Sequence, residues 1–349
     1  MLNFCTLFDS NYLSRGLTLF ESLKKTTTEF HLFVVAFDEE CYDYLRKLND
    51  EYLTPVSLAD FEDEKLKQVK STRTTAEYCW TCTPSIILYC IEKFQLSSCT
   101  YVDADMIFYE SPQILFDELT DQSIIISEHR YTRDYDVSAT HGIYCVQFMY
   151  FKNNKDGLNA LTWWRDRCIE WCFARLEDGK FGDQKYLDDW QERFSGVVHV
   201  MQNSGGGLAP WNIQQYSVDD KNGRMFITDK QNGPTLPMIF YHFHGLKFYN
   251  DDKVACCGAL YELDQNVKQI LYFPYIRHLL DMGEQIVRSG FKPNPQGARQ
   301  PSPGSWKVLT EYIKNVIFLM LKGRLPLFKK NLFIIRLHNH IYKLSRIKY

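Results

Sequence analysis

Short continuous apolar runs, separated by stretches of helical periodicity, constrain this chain more than any other feature. "LNFCTLF" (Leu2–Phe8), "FHLFVVAF" (Phe30–Phe37), "CTYVD" from Cys99 and "GIYCVQFMYF" (Gly142–Phe151) read as strands, the last of them covered on both faces. "SIIIS" at Ser123 adds a shorter one. Between them, "NYLSRGLTLFESLKK" has apolar residues near helical spacing. Further helices are expected from Glu39, around Phe61–Lys70, over Thr83–Phe94 and across "LNALTWWRDRCIEWCFARL". This alternation predicts an α/β fold, a mostly parallel sheet flanked by helices. With 349 residues and 45% hydrophobic side chains, the chain can bury one such core and carry an appendage. Ligands of these sheets bind beyond the carboxyl ends of the strands, where Asp9 and Asp103 each close an apolar run.

The net charge of −3 hides an uneven distribution. Residues 305–349 hold ten Lys or Arg against one acid, Glu311, leaving the remainder at −12. A Pro-, Gly- and Ser-rich stretch reads as a linker, which divides the chain into a body (1–288), a linker (289–304) and a basic amphipathic helical tail (305–349). In the tail Trp306, Leu309, Ile313, Val316, Ile317 and Met320 fall on one helical stripe. Its longest apolar run, "VIFLML", is far below the ~20 residues of a membrane span. Such a tail suits an anionic membrane surface. A helical pair packed on the body is the alternative, and nucleic acid is not expected, because the body is acidic and the tail's basic residues are interleaved with aliphatic bulk. The eleven cysteines are odd in number, and no apolar leader with a cleavage site follows Met1, so reduced thiols and a cytoplasmic address are expected. Cys79 and Cys82 form a lone CxxC without the second pair of a zinc site.

"YVDADMIFY" places Asp103 and Asp105 at the edge of a core, where carboxylates are costly to desolvate and repel each other. They could cap a turn. A phosphatase-type nucleophile also uses DxD after a strand, but expects a small residue and then Thr or Val next, nearer the N-terminus. A divalent-metal site, with hard oxygen ligands that leave positions for phosphate oxygens, would explain why the two acids tolerate each other. Three distant segments favour the metal. "FGDQKYLDDW" brings Asp183 and Gln184 to the start of a helical pattern, "NSGGGLAPWNIQQY" is a Gly-rich turn ending in Trp211, and "MIFYHFHGLKFY" reads as a strand with His242 and His244 on one face. Gly245 and Lys247 follow, a close backbone approach and a cation for phosphate.

In this order the segments resemble the GT-A nucleotide-sugar glycosyltransferases, most closely glycosyltransferase family 8, the group of glycogenin and the bacterial lipopolysaccharide galactosyl- and glucosyltransferases. The resemblance covers about Met1–Asn250 and rests on "TLFDSNYLSRGLTLFESL", "YVDADMIFY", "GDQKYL" and "HFHGLK". It implies a GT-A catalytic domain over 1–288 that binds Mn²⁺ or Mg²⁺ through Asp103, Asp105 and His242, with His244 as the fallback ligand. Asp103 and Asp105 would also meet the donor ribose–diphosphate. Asp9 and Tyr12 would hold the base, Gln147 and Gly245 would lie near the donor, and Lys247 would neutralise the diphosphate. Asp183 and Gln184 would be catalytic, facing sugar and acceptor. The chain departs from the family at Lys247, one residue early, at "WTCTPS", where relatives often carry a basic residue, and at Cys145 and Gln147, where they have Asn-x-Gly. The expected function is transfer of a sugar from a UDP-sugar donor to a glycan or lipid-linked acceptor, with retention, peripheral on the inner membrane face. A sugar nucleotidyltransferase shares the fold but usually opens with a Gly-rich, basic phosphate loop. A dead transferase kept as a lipid-surface binding module is argued against by the intact acids and His242.

Overall fold

The structure, a computed structural model, describes residues 1–231, 233–258, 260–304 and 340–347. Eight strands belong to its first two hundred residues: β1 (Leu2–Phe8), β2 (Phe30–Ala36), β3 (Leu53–Ser57), β4 (Ser98–Val102), β5 (Met106–Phe108), β6 (Ile124–Glu128), β7 (Tyr144–Lys152) and β8 (Val198–Val200). All but β5 form one sheet in the order β3-β2-β1-β4-β7-β6-β8. Neighbours are parallel except that β7 runs against both β4 and β6. The mostly parallel α/β expectation therefore holds.

Side-chain alternation along the strands builds a core on each face. On β1, Cys5 and Leu7 point to a core shared with Ile86, Ile87 and Trp164, which come from the helices Thr75–Lys93 and Lys155–Glu170. Phe4 and Phe8 point to the other, with Leu17 and Phe20 of helix Leu13–Thr26 and Met282 and Ile286 of helix Phe273–Arg288. Both faces are covered, as the continuous apolar runs require.

Two helices differ from expectation. The one expected from Thr83 begins at Thr75, where Thr74 and Glu77 close a capping box. Pro84 sits inside this helix. The next runs Lys155–Glu170, capped by Asn154, and does not continue through Leu176. Trp171 is extended, and its carbonyl accepts from Tyr186 Oη at 2.8 Å, which turns the chain under the "GDQKYL" segment.

Beyond β8 the chain forms an antiparallel sheet of β9 (Tyr216–Lys221), β10 (Arg224–Asp229) and β11 (Thr235–Pro237), which the sequence pattern had not suggested. β12 (Phe240–His242) pairs with β5, and β13 (Lys247–Tyr249) and β14 (Lys253–Ala255) are joined by β15 (Ile341–Lys343). Residues 289–304 have neither helix nor strand, yet Ser302 is bonded to Asp251 and Gln296 to Ser14. Most of the tail, including its apolar stripe, lies outside the described residues, among which no helix is long and apolar enough to cross a membrane.

Gly16 lets helix Leu13–Thr26 lie directly on β1, because a Cβ there would overlap the Phe8 ring. Gly16→Val should destabilise the protein by about 1–3 kcal/mol, the scale of an overpacked core. Urea unfolding monitored by circular dichroism should show it as a lower midpoint.

Candidate active site

The site is assembled by one strand pairing. After β4 the chain turns through Asp103, Ala104 and Asp105 into β5, and β5 pairs antiparallel with β12 so that Met106 faces His242. Asp103 N donates to Gln147 O on β7 (3.2 Å), and Phe243 N donates to Asp105 O (2.9 Å), fixing both ends of the turn. The result is a cluster of Asp103, Asp105 and His242 whose ligand atoms all lie within 4.8 Å of one another. His242 Nε2 is 3.0 Å from Asp105 Oδ1 and 3.7 Å from Asp103 Oδ2.

Burial and charge set the protonation of this cluster. Burial pushes the Asp103 carboxyl up, against the pull of His242. Burial acts on Asp105 in the same sense, but His242 outweighs it and holds that carboxyl at about 2. His242 rises well above the ordinary imidazole range, since Asp105 overcomes the desolvation that would lower it. Tyr101 Oη donates to Asp103 Oδ1 (2.9 Å), and His242 Nδ1 meets Gln147 Oε1 (2.9 Å). Two carboxylates against one imidazolium leave a surplus of negative charge.

Two cavities meet at this wall. One, of about 700 Å³, runs from Asp103 and Asp105 to Asp9, Tyr12, Asp38 and Arg73. The other, of about 330 Å³, is lined by Gln147, Asp183, Gln184, Trp211 and several further aromatics. Asp103, His242, His244, Trp80 and Tyr101 line both. Of the residues singled out from sequence, Asp9, Tyr12, Asp103, Asp105, Gln147, Asp183, Gln184 and His242 thus come together. Gly245 and Lys247 line neither cavity. Lys247 is exposed at the start of β13, while Gly245, at φ +76°, turns the chain there. His244 is not on a strand face with His242, because β12 ends at His242; it is exposed and outside the three-residue cluster.

Several of the contacts that build the site are not visible in the sequence pattern. The Gly-rich turn is buried and fixed: Asn212 Nδ2 donates to His129 O (2.9 Å) and Gly207 O (2.8 Å), and Ala209 N donates to Asn212 Oδ1 (3.0 Å). It presents Trp211 edge-on to His242, with centroids 5.5 Å apart. Arg15, 2% exposed, lies over the Tyr12 ring at 4.4 Å and donates to Leu246 O, tying Tyr12 to the loop after His242. Three side chains of "GDQKYLDD" hold residues 138–143 against the second cavity: Gln184 Nε2 donates to His141 O (2.6 Å), Lys185 Nζ to Ser138 O (3.1 Å), and Asp188 accepts from Ile143 N (2.8 Å). Cys79 and Cys82 are thiols, as are the other nine cysteines.

Asp183 is 5% exposed, and burial, with Asp103 adding to it, pushes its carboxyl up to about 8. The folded protein then keeps a proton that the unfolded chain releases near the usual carboxylate range, so stability is lost as pH rises from about 4 to about 8. Asp183→Asn should remove that loss. In metal-free protein the variant's melting temperature should exceed wild type at pH 8.5 and approach it at pH 4.5; a constant offset would contradict a buried neutral carboxyl.

No family model matches the chain. Among curated proteins it is 31% identical over 281 residues to the uncharacterized protein YfnD of Bacillus subtilis (strain 168), covering 79% of this chain and 88% of YfnD. It is 30% identical over 285 residues to the uncharacterized protein YfnF of the same strain, covering 79% and 92%. Solved structures similar to it include the galactosyltransferase LgtC in complex with donor and acceptor sugar analogs, at 16% identity and a TM-score of 0.44 over 69% of this chain and 86% of that one. Mouse xyloside xylosyltransferase 1 follows at 14% identity and a TM-score of 0.38, over 58% and 85%. On the sequence relationship, this chain belongs to the family of the Bacillus subtilis proteins YfnD and YfnF.

Proposed function

We propose that the protein is a metal-dependent glycosyltransferase that moves a sugar from a UDP-sugar to a surface-glycan acceptor such as a lipopolysaccharide, a capsule or a lipid-linked oligosaccharide, with retention. The observation that carries this reading is the Asp103–Asp105–His242 cluster, of which Asp103 and His242 line both cavities. A nucleotide fits one side, where Tyr12 offers an exposed ring and Asp9 a carboxylate. A sugar acceptor fits the other, where aromatics surround Asp183 and Gln184.

The donor set suits a divalent ion. Two hard carboxylates and one imidazole within a 4.8 Å span match Mn²⁺, and Mg²⁺ less closely because of the nitrogen ligand. Once bound, the ion supplies Lewis-acid stabilisation of the departing diphosphate. The chain's own residues do the rest. Tyr12, backed by Arg15, stacks on the base. Gln147 and Asp183 border the donor sugar. Gln184 and the segment it holds shape the acceptor cavity, keeping a hydroxyl beside the anomeric carbon and bulk water out. The basic tail holds the enzyme on the inner membrane face, close to lipid-linked acceptors.

A panel of UDP-sugars should contain one that is slowly hydrolysed with Mn²⁺ and not with chelator. Asp103→Asn, Asp105→Asn and His242→Ala should each lower that rate on the order of 10²–10³-fold, the effect of losing one preorganised electrostatic contact. Hydrolysis indifferent to chelator and to all three substitutions would overturn the reading. The anomer of the first product, seen by NMR, tests retention.

A further inference from the structure

We infer that Gln147 is a positioning residue for His242: its neutral amide fixes which imidazole nitrogen faces the two aspartates. The inference rests on the metal-site reading above and extends it to a residue that touches no metal.

Gln147 lies in the middle of β7 and is 0% exposed. Its backbone carbonyl accepts from Asp103 N, so its place relative to the DxD turn is set by the main chain. From there Oε1 reaches His242 Nδ1 at 2.9 Å. A carboxamide oxygen can only accept, so Nδ1 carries a proton at this contact. Nε2 is the nitrogen directed at Asp105 and Asp103. Trp211, edge-on to the imidazole, limits its rotation. A ligand histidine held through its other nitrogen is a recurring arrangement, and the partner is often a carboxylate. Asp103 and Asp105 already balance a divalent cation, so here a neutral acceptor is enough to hold the imidazole.

The opposite end of the same amide supports this orientation. Gln147 Nε2 is buried and has no hydrogen-bond partner, and the residue lines the cavity that holds Asp183. With its oxygen committed to His242, the other end of the amide is packed against the Gly-rich turn at Gly207.

Mn²⁺ affinity of the full chain, read from the electron paramagnetic resonance of free Mn²⁺ with and without UDP, tests the inference. Gln147→Leu should weaken Mn²⁺ binding about 10–100-fold, the usual effect of losing such a partner. Gln147→Glu, which still accepts from Nδ1, should bind Mn²⁺ at least as tightly as wild type and serves if the Leu variant does not fold. His242→Ala is the control. If His242→Ala binds Mn²⁺ like wild type, the metal reading itself falls. If His242→Ala loses binding while folded Gln147→Leu retains it, or if Gln147→Glu loses binding, only the role given to Gln147 is overturned.

Discussion

The antiparallel pairing of β5 with β12 is the interaction on which the site depends. β5 is three residues long and follows the DxD turn directly; β12 is equally short and ends at His242. Their register puts Met106 opposite His242, and the flanking bonds from Asp103 N and Phe243 N close the turn. Without that pairing, the acids at the end of β4 and a histidine far along the chain would have no reason to meet. The core behind β12, with Tyr241 and Phe243 packed on Tyr272 and Tyr275, makes the pairing rigid.

That rigidity carries an electrostatic cost. Two half-buried carboxylates beside one buried imidazole are short of positive charge, and the surrounding groups redistribute protons instead of removing the imbalance. Asp105 stays ionised, Asp103 is pushed upward and His242 holds its proton. A divalent cation would cancel the surplus outright. Sites arranged this way trade apo stability for affinity, and perturbed titration concentrated in a cleft is a mark of function.

Much of this was legible in the sequence, for a physical reason. Strands buried on both faces must be apolar throughout, so β1, β2, β4 and β7 stand out, and Asp9 and Asp103 are conspicuous at their ends. What was not legible depends on tertiary contacts. The helix expected from Thr83 starts at Thr75, because the capping box at Thr74 begins it earlier and Pro84 is accommodated inside. His242 and His244 were expected on one strand face because alternation assumes a strand that continues, and β12 stops between them. The Gly-rich turn was visible as a turn, but not the bonds of Asn212 and the close packing that fix it. Lys247 looked like a phosphate ligand from its place just after Gly245 and from the resemblance, and the turn at Gly245 leads it away from both cavities.

The central claim is that Asp103, Asp105 and His242 hold one divalent ion against a nucleotide diphosphate. Crystals of the full chain grown with Mn²⁺ and UDP, with data collected at a wavelength that gives manganese an anomalous signal, test it most directly. The account predicts one strong anomalous peak bonded to both aspartates and to His242 Nε2, with diphosphate oxygens completing its coordination and the uracil against Tyr12. A peak elsewhere, or UDP seated in the cavity with no ion between it and the two aspartates, would contradict it.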